Sequence, residues 1–177
     1  LSFLIKDLDA ISKLESGEVP INYSQFDLAQ LIQEVTESFE LKARQYKISL
    51  VFKEKYHAPT FVWADREKIR QVLVNLTDNS LKYGREHGST SFKTFSLHEQ
   101  VLVEVTDDGS GIEEKYLPRL FERFYRTERS RSREEGGSGL GLAIVKHILE
   151  AHEQTITVRS TQGIGSTFAF TLEKNKA

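Results

Sequence analysis

The sequence predicts one globular domain that combines α-helices with β-strands, an α/β fold class. Its 177 residues are 38% hydrophobic and 28% charged, the composition of an ordinary domain that can bury a core. Several segments repeat apolar residues at spacings of three and four, and others alternate apolar with polar residues. The first pattern is typical of helices and the second of strands.

Charge and composition exclude several classes of protein. The formal net charge is −2 with acids and bases interspersed, so we do not expect nucleic acid as a partner. The absence of cysteine excludes disulfides and thiolate metal sites. No apolar run approaches the roughly 20 residues of a membrane span and no signal-peptide pattern is present, so we expect a soluble chain. Because it begins without Met, we expect it to be a piece of a longer protein.

An apolar seam at helical spacing predicts the first helix. Its members are Leu1, Leu4, Leu8 and Ile11. Gly17 and Pro20 end this helix. The seam fits a helix folded onto its own domain and equally the tail of a dimerising hairpin.

Two further helices are predicted to begin after aspartates. Asp27 follows an extended piece and precedes an apolar stripe of Leu28, Leu31, Ile32, Val35 and Phe39. Asp65 caps a helix that runs to Tyr83. Strands are predicted at 48–52, 61–63, 91–97 and 101–106, the last two joined by a turn.

The remaining chain divides into a loop, a helix and two strands. Residues 113–137 are rich in arginine with little periodicity, which predicts a mobile or binding loop, or else a disordered surface loop. A helix is predicted from Leu140 to about His152. Strands follow at 155–160 and 166–172.

A glycine-rich stretch precedes that helix. Residues 136–141 read Gly-Gly-Ser-Gly-Leu-Gly and run into an apolar segment of helical spacing. Unpaired N–H groups at such a helix start attract an anion, which predicts a phosphate site. Flexible linkers and tight turns use the same residues, so they are the alternative.

The helix that follows Asp65 separates into two faces at about 100° per residue. One face is apolar, and the other carries Asn75, Asp78, Asn79 and Lys82. Neutral amide oxygens suit Mg²⁺ and an ammonium suits phosphate oxygens. A solvated face is the alternative, although asparagine is a poor helix former there.

Residues 107–112 end a strand with an acid and then permissive glycines. A buried Asp107 carboxylate could accept from an exocyclic amine while the glycines let the backbone close on a ring. A plain Asx turn is the alternative.

Five segments in one order carry a resemblance to a known family. They are NLTDNSLKY (75–83), DDGSGI (107–112), LFERFYR (120–126), GSGLGL (137–142) and GIGSTF (163–168). Together they resemble the N box, the F box and the three glycine boxes of the catalytic ATP-binding domain of bacterial sensor histidine kinases. This family lies within the gyrase, HSP90, histidine kinase and MutL superfamily. The resemblance covers about residues 25–173.

The resemblance implies ATP and Mg²⁺ as cofactors, and it assigns roles residue by residue. Asn79 matches the Mg²⁺ ligand, with Asn75 nearby, and Asp107 matches the acid that binds the adenine amine. The other matches are nucleotide contacts: Lys82 and Tyr83 in the N box, Gly109, Gly111 and Ile112 over the base, Tyr125 beside the nucleotide, Arg126 (with Arg123 as a weaker match) near the terminal phosphate, Gly137, Gly139, Leu140 and Gly141 around the phosphates, and Thr167 near the adenine. The implied catalytic residues are Asn79, Lys82 and Arg126.

The same resemblance implies a fold and domain boundaries. The fold is a two-layer α/β sandwich, a mixed sheet with helices on one face. Residues 1–16 would be the C-terminal end of a dimerisation helix, 17–26 a linker and 27–177 the catalytic domain. The parent would be a homodimer anchored in the cell membrane with this domain in the cytoplasm, and the fragment could exist as a monomer. Its partners would be its own dimerisation and phosphoacceptor domain and a response regulator receiver domain.

The implied function is transfer of the γ-phosphoryl group of Mg-ATP to a histidine. None of the five histidines lies in a phosphoacceptor box, so we expect the acceptor upstream. Asp108 stands where an Asn is more usual and Ser80 where an Ala is common, and neither is expected to abolish binding. One alternative is a regulatory pseudokinase that only binds nucleotide. The other is an ATP-hydrolysing or serine-kinase relative, which would carry a Glu at the position of Asn75.

Overall fold

The computed structural model describes residues 2–17, 20–56, 58–125 and 139–174. The helices in these ranges are α1 (Ser2–Ser16), α2 (Leu28–Ser38), α3 (Glu40–Tyr46), α4 (Arg66–Tyr83) and α5 (Gly141–Ala151). The strands are β1 (Ser24–Asp27), β2 (Ser49–Phe52), β3 (Phe61–Ala64), β4 (Ser89–Ser96), β5 (Gln100–Asp107), β6 (Ile156–Thr161) and β7 (Gly165–Glu173). None of the helices in these ranges combines the length and the apolar character needed to cross a bilayer.

The strands of the described residues form one mixed sheet. Its order is β1-β3-β7-β5-β4-β2, and β6 also pairs with β7. The β2 and β4 strands run parallel, whereas the other neighbours are antiparallel. In β5 the alternate residues Val101, Val103 and Val105 are buried. Because side chains alternate along a strand, Asp107 at the end of β5 lies on the same, core-facing side.

The helices pack on one face of this sheet and enclose the core. Helix α4 packs against both α2 and α5. Fully buried side chains from the helix layer and the sheet meet there, including Leu31, Ile69, Leu73, Phe92, Leu149 and Phe170. The opposite face of the sheet exposes polar side chains such as Lys93 and Thr157. The expected two-layer sandwich with helices on one face is therefore confirmed.

Helix α1 packs on α5 of its own domain. Ile11 has no exposed surface, and the Glu15 carboxylate lies 3.2 Å from Arg123 and 3.3 Å from His147. Ile5, on the other side of α1, is 66% exposed. The side of α1 that carries Leu4, Leu8 and Ile11 thus packs against the core, and the side that carries Ile5 faces outward.

Strand β1 begins inside the stretch that was expected to be a linker. Ser24–Asp27 pairs with β3 at the edge of the sheet. Asp27 then caps α2, because its Oδ1 accepts from the N–H of Ala29 at 3.0 Å and from that of Thr60 at 2.9 Å. The aspartate cap predicted from the sequence is present.

Asp65 fixes the start of α4. Its carboxylate accepts from the N–H groups of Lys68 (3.2 Å) and Asn22 (3.0 Å). Its own N–H donates to His152 Nε2 at 3.0 Å, and His152 Nδ1–H donates to the carbonyl of Ile148 at 2.8 Å. An aspartate cap stabilises a helix by about 1 kcal/mol. One hydrogen-bond network thus holds the start of α4 against the end of α5.

Sequence patterns did not predict α3, which follows α2 directly. It is seven residues long, and its C-cap residue Lys47 adopts a left-handed conformation with φ 56° and ψ 43°. Ala43 is its buried residue and packs in a small cluster with Ile48 and with Leu81 of α4. This cluster attaches α3 to the C-terminal part of α4.

The network around His152 predicts a pH-dependent stability. Burial lowers the pKa of His152 below its usual value, because the charged ring would lose water and could not accept from Asp65 N–H. On acidification the unfolded chain therefore binds a proton that the folded chain does not. We expect the free energy of unfolding to fall as the pH drops from about 7.5 to about 5.5, by up to about 1.4 kcal/mol per pH unit from this group.

Chemical denaturation of wild type and His152→Gln across this range measures the effect. The slope against pH should be smaller in the variant, while His87→Gln, at a residue whose side chain is 78% exposed, should keep the wild-type slope. Equal slopes in wild type and His152→Gln would contradict the buried neutral ring.

Candidate functional site

One face of α4 carries the polar side chains that the sequence singled out. Asn75 Nδ2 donates to the carbonyl of Gly141 over 3.1 Å, and Lys82 Nζ lies 2.9 Å from Asp78 Oδ2. Asn79 is half-buried. The structure therefore places this face beside the first residue of α5, where the glycine-rich stretch enters the helix.

Asp78 is also held by a lysine that no sequence pattern connects with it. Lys42 of α3 donates from Nζ to Asp78 Oδ1. Burial by itself raises the pKa of the Asp78 carboxyl, but hydrogen bonds from Lys42 and Lys82 prevail and hold the pKa below its usual range. Asp78 is thus an ionised carboxylate between two ammonium groups.

The Asp107 carboxylate lies at the end of β5 and is 7% exposed. Its Oδ1 accepts from the N–H of Gly109 at 2.9 Å, and the backbone of Ser166 donates to the same carboxylate. Burial raises the pKa of Asp107, and the nearby Asp108 carboxylate adds to this, although the two backbone donors oppose it. An acid with few charged neighbours at a strand end is suited to bind a neutral donor.

Glycine brings the neighbouring backbone close to Asp107. A Cβ on Gly109 would lie 2.3 Å from the carbonyl oxygen of Tyr83, at the end of α4. A Cβ on Gly165, at the turn into β7, would lie 2.1 Å from the carbonyl oxygen of Asp107. Side chains cannot be accommodated at either distance, so the packing of three segments around Asp107 requires glycine at both positions.

The segment after Asp107 is anchored to the β6–β7 turn. The N–H of Ile112 donates to Ser160 Oγ at 2.7 Å, and the N–H of Gly163 donates to the carbonyl of Ser110 at 2.7 Å. Gly111 has φ +69°, and a Cβ there would lie 2.1 Å from the carbonyl oxygen of Thr161. The half-buried Ile112 packs against the core, so this segment has a defined position.

A backbone hydrogen bond joins Phe124 to the glycine that precedes Leu140. The N–H of Phe124 donates to the carbonyl of Gly139 at 3.0 Å, and both residues have positive φ, 62° and 78°. Leu140 is fully buried in the core. Leu140 is also the N-cap residue of α5, and its apolar side chain cannot cap the first-turn N–H groups as Asp27 and Asp65 do for their helices.

Among the described residues of the F box, Tyr125 and Arg123 contact residues outside α4. Tyr125 packs beside Tyr116 with ring centroids 6.5 Å apart, and the Arg119 guanidinium carbon lies 4.6 Å from the centroid of the Tyr125 ring. Arg123 pairs with Glu15 of α1. The predicted contacts Arg126 and Gly137 lie outside the described residues.

Thr167 does not lie with Asp107, contrary to what the resemblance implied. Thr167 pairs with Thr106 across the sheet, with their Oγ1 atoms 3.0 Å apart, whereas Asp107 pairs with Ser166. Neighbouring residues of a strand point to opposite faces, so the side chain of Thr167 lies on the far face of the sheet. The buried Ser166 is the residue on the Asp107 side, and its hydroxyl lies 2.7 Å from Ser160 Oγ.

Comparison with known families accounts for this arrangement. The family described as histidine kinase-, DNA gyrase B- and HSP90-like ATPase matches residues 64–176. The chain belongs to this ATPase family. The match begins at the end of β3 and contains α4, β5, the glycine-rich stretch and β7.

Proteins similar to this chain include sensor histidine kinases. WalK of Bacillus subtilis is 34% identical over 171 residues, which are 96% of this chain and 28% of WalK. Full-length ShkA in complex with AMPPNP has a TM-score of 0.85 at 26% identity over 98% of this chain and 36% of that one. ThkA in complex with the response regulator TrrA has a TM-score of 0.75 at 28% identity, over 97% and 48%. The chain thus spans only about a quarter of the length of WalK.

The two departures from the usual family motifs have structural partners. Asp108 accepts from the N–H of Ser89 at 3.0 Å, which ties the glycine segment to the start of β4. Ser80 is buried, donates to the carbonyl of Thr77 at 2.8 Å and accepts from Thr90 Oγ1 at 3.0 Å. Each of the two side chains therefore has hydrogen-bond partners within the fold.

The raised pKa of Asp107 predicts that removal of its charge stabilises the fold. The folded state disfavours the ionised carboxylate, so the wild type loses stability as the pH rises from the usual pKa of Asp through the raised value. Asp107→Asn keeps an oxygen that can accept from Gly109. We therefore expect the variant to have the larger free energy of unfolding at pH 7, with the difference vanishing below about pH 4.

Urea unfolding at the two pH values tests this expectation. Asp9→Asn, at an exposed position of α1, is the matched control and should show no such pH-dependent gain. A lower stability of Asp107→Asn than of wild type at pH 7 would contradict the cost assigned to the buried charge.

Proposed function

We propose that this chain is the ATP-binding catalytic module of a sensor histidine kinase. It binds ATP between the polar face of α4 and the glycine segments, and transfers the γ-phosphoryl group to a histidine on a dimerisation segment outside these residues. The observation that carries the proposal is the buried Asp107 carboxylate, bonded to Gly109, which itself packs against the end of α4, in a member of an ATPase family.

Asp107 would select the base. An ionised carboxylate has about four acceptor sites, and the two backbone donors from Gly109 and Ser166 leave capacity for a further donor. The exocyclic amine of adenine is such a donor, and a charge-assisted hydrogen bond of this kind contributes about 1.5–3 kcal/mol. Guanine presents a carbonyl oxygen at the same position, which a carboxylate repels.

The start of α5 would bind the phosphates. The N-cap residue Leu140 has an apolar side chain that makes no capping hydrogen bond. The N–H groups of the first turn therefore favour an anion. A Cβ at Gly141 would meet only Asn75 Nδ2, at 3.9 Å, among the described neighbours, so packing does not demand glycine at this position. A glycine at this position leaves backbone that a ligand can approach closely. Lys82 would supply a cationic charge from α4.

The residues of the α4 face fit a magnesium ion that is carried by the nucleotide. The described part of the chain contains no cluster of three His, Asp or Glu side chains that could hold a metal by themselves. Mg²⁺ typically takes few protein ligands and completes its shell with phosphate oxygens and water. The amide oxygen of Asn79 would be its protein ligand. When bound, Mg²⁺ supplies charge neutralisation on the transferring phosphoryl group.

Transfer to an imidazole requires positioning and charge compensation more than a protein base. Lys82 would stabilise the negative charge on the phosphates, with Arg126 as the second cation. Asn75 occupies the position at which hydrolytic and serine-kinase relatives would carry a Glu. Its amide donates to Gly141 and cannot take a proton from water, which favours transfer to histidine over hydrolysis.

The proposal extends to the longer protein of which the chain would form the catalytic part. Residues 1–16 would end a dimerisation helix and the residues before β1 would form a linker, so that the catalytic domain of a membrane-anchored homodimer would begin with β1 rather than at residue 27. The receiver domain of a response regulator would accept the phosphoryl group from the histidine. ThkA was solved in complex with such a regulator, which supports this class of partner.

Substitution of Asn79 tests whether this residue binds the metal or has only a structural role. We expect Asn79→Ala to weaken ATP binding on the order of tenfold in Mg²⁺ and much less in EDTA, because only the metal-dependent part of the affinity uses its oxygen. Calorimetric titration of both proteins in both media measures this. In a longer chain that includes the acceptor histidine, the same substitution should remove transfer of label from γ-labelled ATP.

Asn22→Ala is the matched control, because Asn22 uses its backbone and not its side chain to bind Asp65. Its affinity should equal that of wild type in both media. Equal losses for Asn79→Ala with and without Mg²⁺ would rule out the metal role.

A further inference from the structure

The carboxylate of Asp78 lies between two lysines that come from different helices. Lys82, one turn further along α4, approaches Oδ2 at 2.9 Å. Lys42 of α3 donates to the other oxygen, Oδ1. The side chains of Asp78 and Lys82 are 28% and 23% exposed, so this pair is partly shielded from water. Each carboxylate oxygen is therefore engaged by a different ammonium group.

Packing fixes Lys42 in this place. Ala43, the next residue, and Leu81, which precedes Lys82, are 5% and 1% exposed and belong to one small apolar cluster with Ile48. The contact between α3 and α4 thus sets the spacing of the two lysines. The Lys42 side chain is 41% exposed, and its ammonium also lies 5.9 Å from the ring centroid of Phe39.

The net charge of Lys42, Asp78 and Lys82 together determines how strongly this part of α4 attracts an anion. Lys82 and Asp78 alone form a neutral pair, in which the carboxylate competes with a phosphate for the ammonium and repels the phosphate itself. With Lys42 included, the group carries one net positive charge. Asp78 then keeps an ion pair when Lys82 turns towards a ligand.

We propose that Lys42 is a positioning residue for phosphate binding, which compensates Asp78 so that Lys82 can pair with the polyphosphate of the nucleotide. This inference rests on the proposed nucleotide site and adds a residue from outside its motifs. Lys42 does not contact the base, so its effect should increase with the number of phosphates on the ligand and be absent for adenosine.

The test compares the affinities of the 177-residue chain for ATP, ADP and adenosine in Mg²⁺. We expect Lys42→Met to weaken ATP about three- to tenfold and ADP by less, and to leave adenosine unchanged. Arg44→Met, which removes the same charge from an exposed position of α3, should leave the ATP affinity within about twofold of wild type.

A second substitution tests the mechanism. Asp78→Asn removes the carboxylate that Lys42 compensates, so it should bind ATP at least as well as wild type, and Lys42→Met/Asp78→Asn should return to within about twofold of Asp78→Asn. An unchanged ATP affinity in Lys42→Met overturns the inference. So does an equal loss for adenosine, which would mean that the substitution distorts the whole site.

If the proposed nucleotide-binding function itself is wrong, the same measurements give a different result. In that case the wild type does not bind ATP, or Lys82→Met binds it as the wild type does. If the wild type binds ATP and Lys82→Met binds it weakly while Lys42→Met matches the wild type, only the role of Lys42 is overturned.

Discussion

The buried carboxylate of Asp107 constrains three separate segments of the chain at once. The N–H of Gly109 turns back to it, and the backbone of Ser166 reaches it from β7. The end of α4 packs against Gly109 so closely that no side chain fits. A partly desolvated charge costs stability unless backbone donors or a ligand compensate for it. The same interaction that orders the end of β5 beside the start of β7 therefore leaves an acceptor suited to a base.

The second element of the site depends on how α4 is held. Asp65 caps its start and joins it to His152 at the end of α5, while Ala43 and Ile48 pack on Leu81 near its C-terminal end. With both ends fixed, the polar face between them has a defined orientation towards α5. This is the arrangement that preorganised binding of a charged ligand requires.

Much of the fold followed from sequence because its signals are local. Asp27 and Asp65 cap the helices expected of them, and β5 shows clear alternation. Helix α3 was not predicted because it has only one buried residue, Ala43, and so no apolar period. Thr167 was misplaced because a motif does not say which of two neighbouring strand residues faces the core. Lys42 could not be found because it meets Asp78 36 residues away, through tertiary packing alone.

The most direct measurement of the central claim is base selectivity at Asp107. Competition between ATP and GTP should show that the wild type prefers ATP by at least about tenfold, since a charge-assisted hydrogen bond is replaced by a repulsive contact with guanine. Asp107→Asn should lose most of that preference. Equal binding of ATP and GTP by the wild type, or an unchanged preference in the variant, would contradict the assignment of Asp107 as the residue that selects adenine.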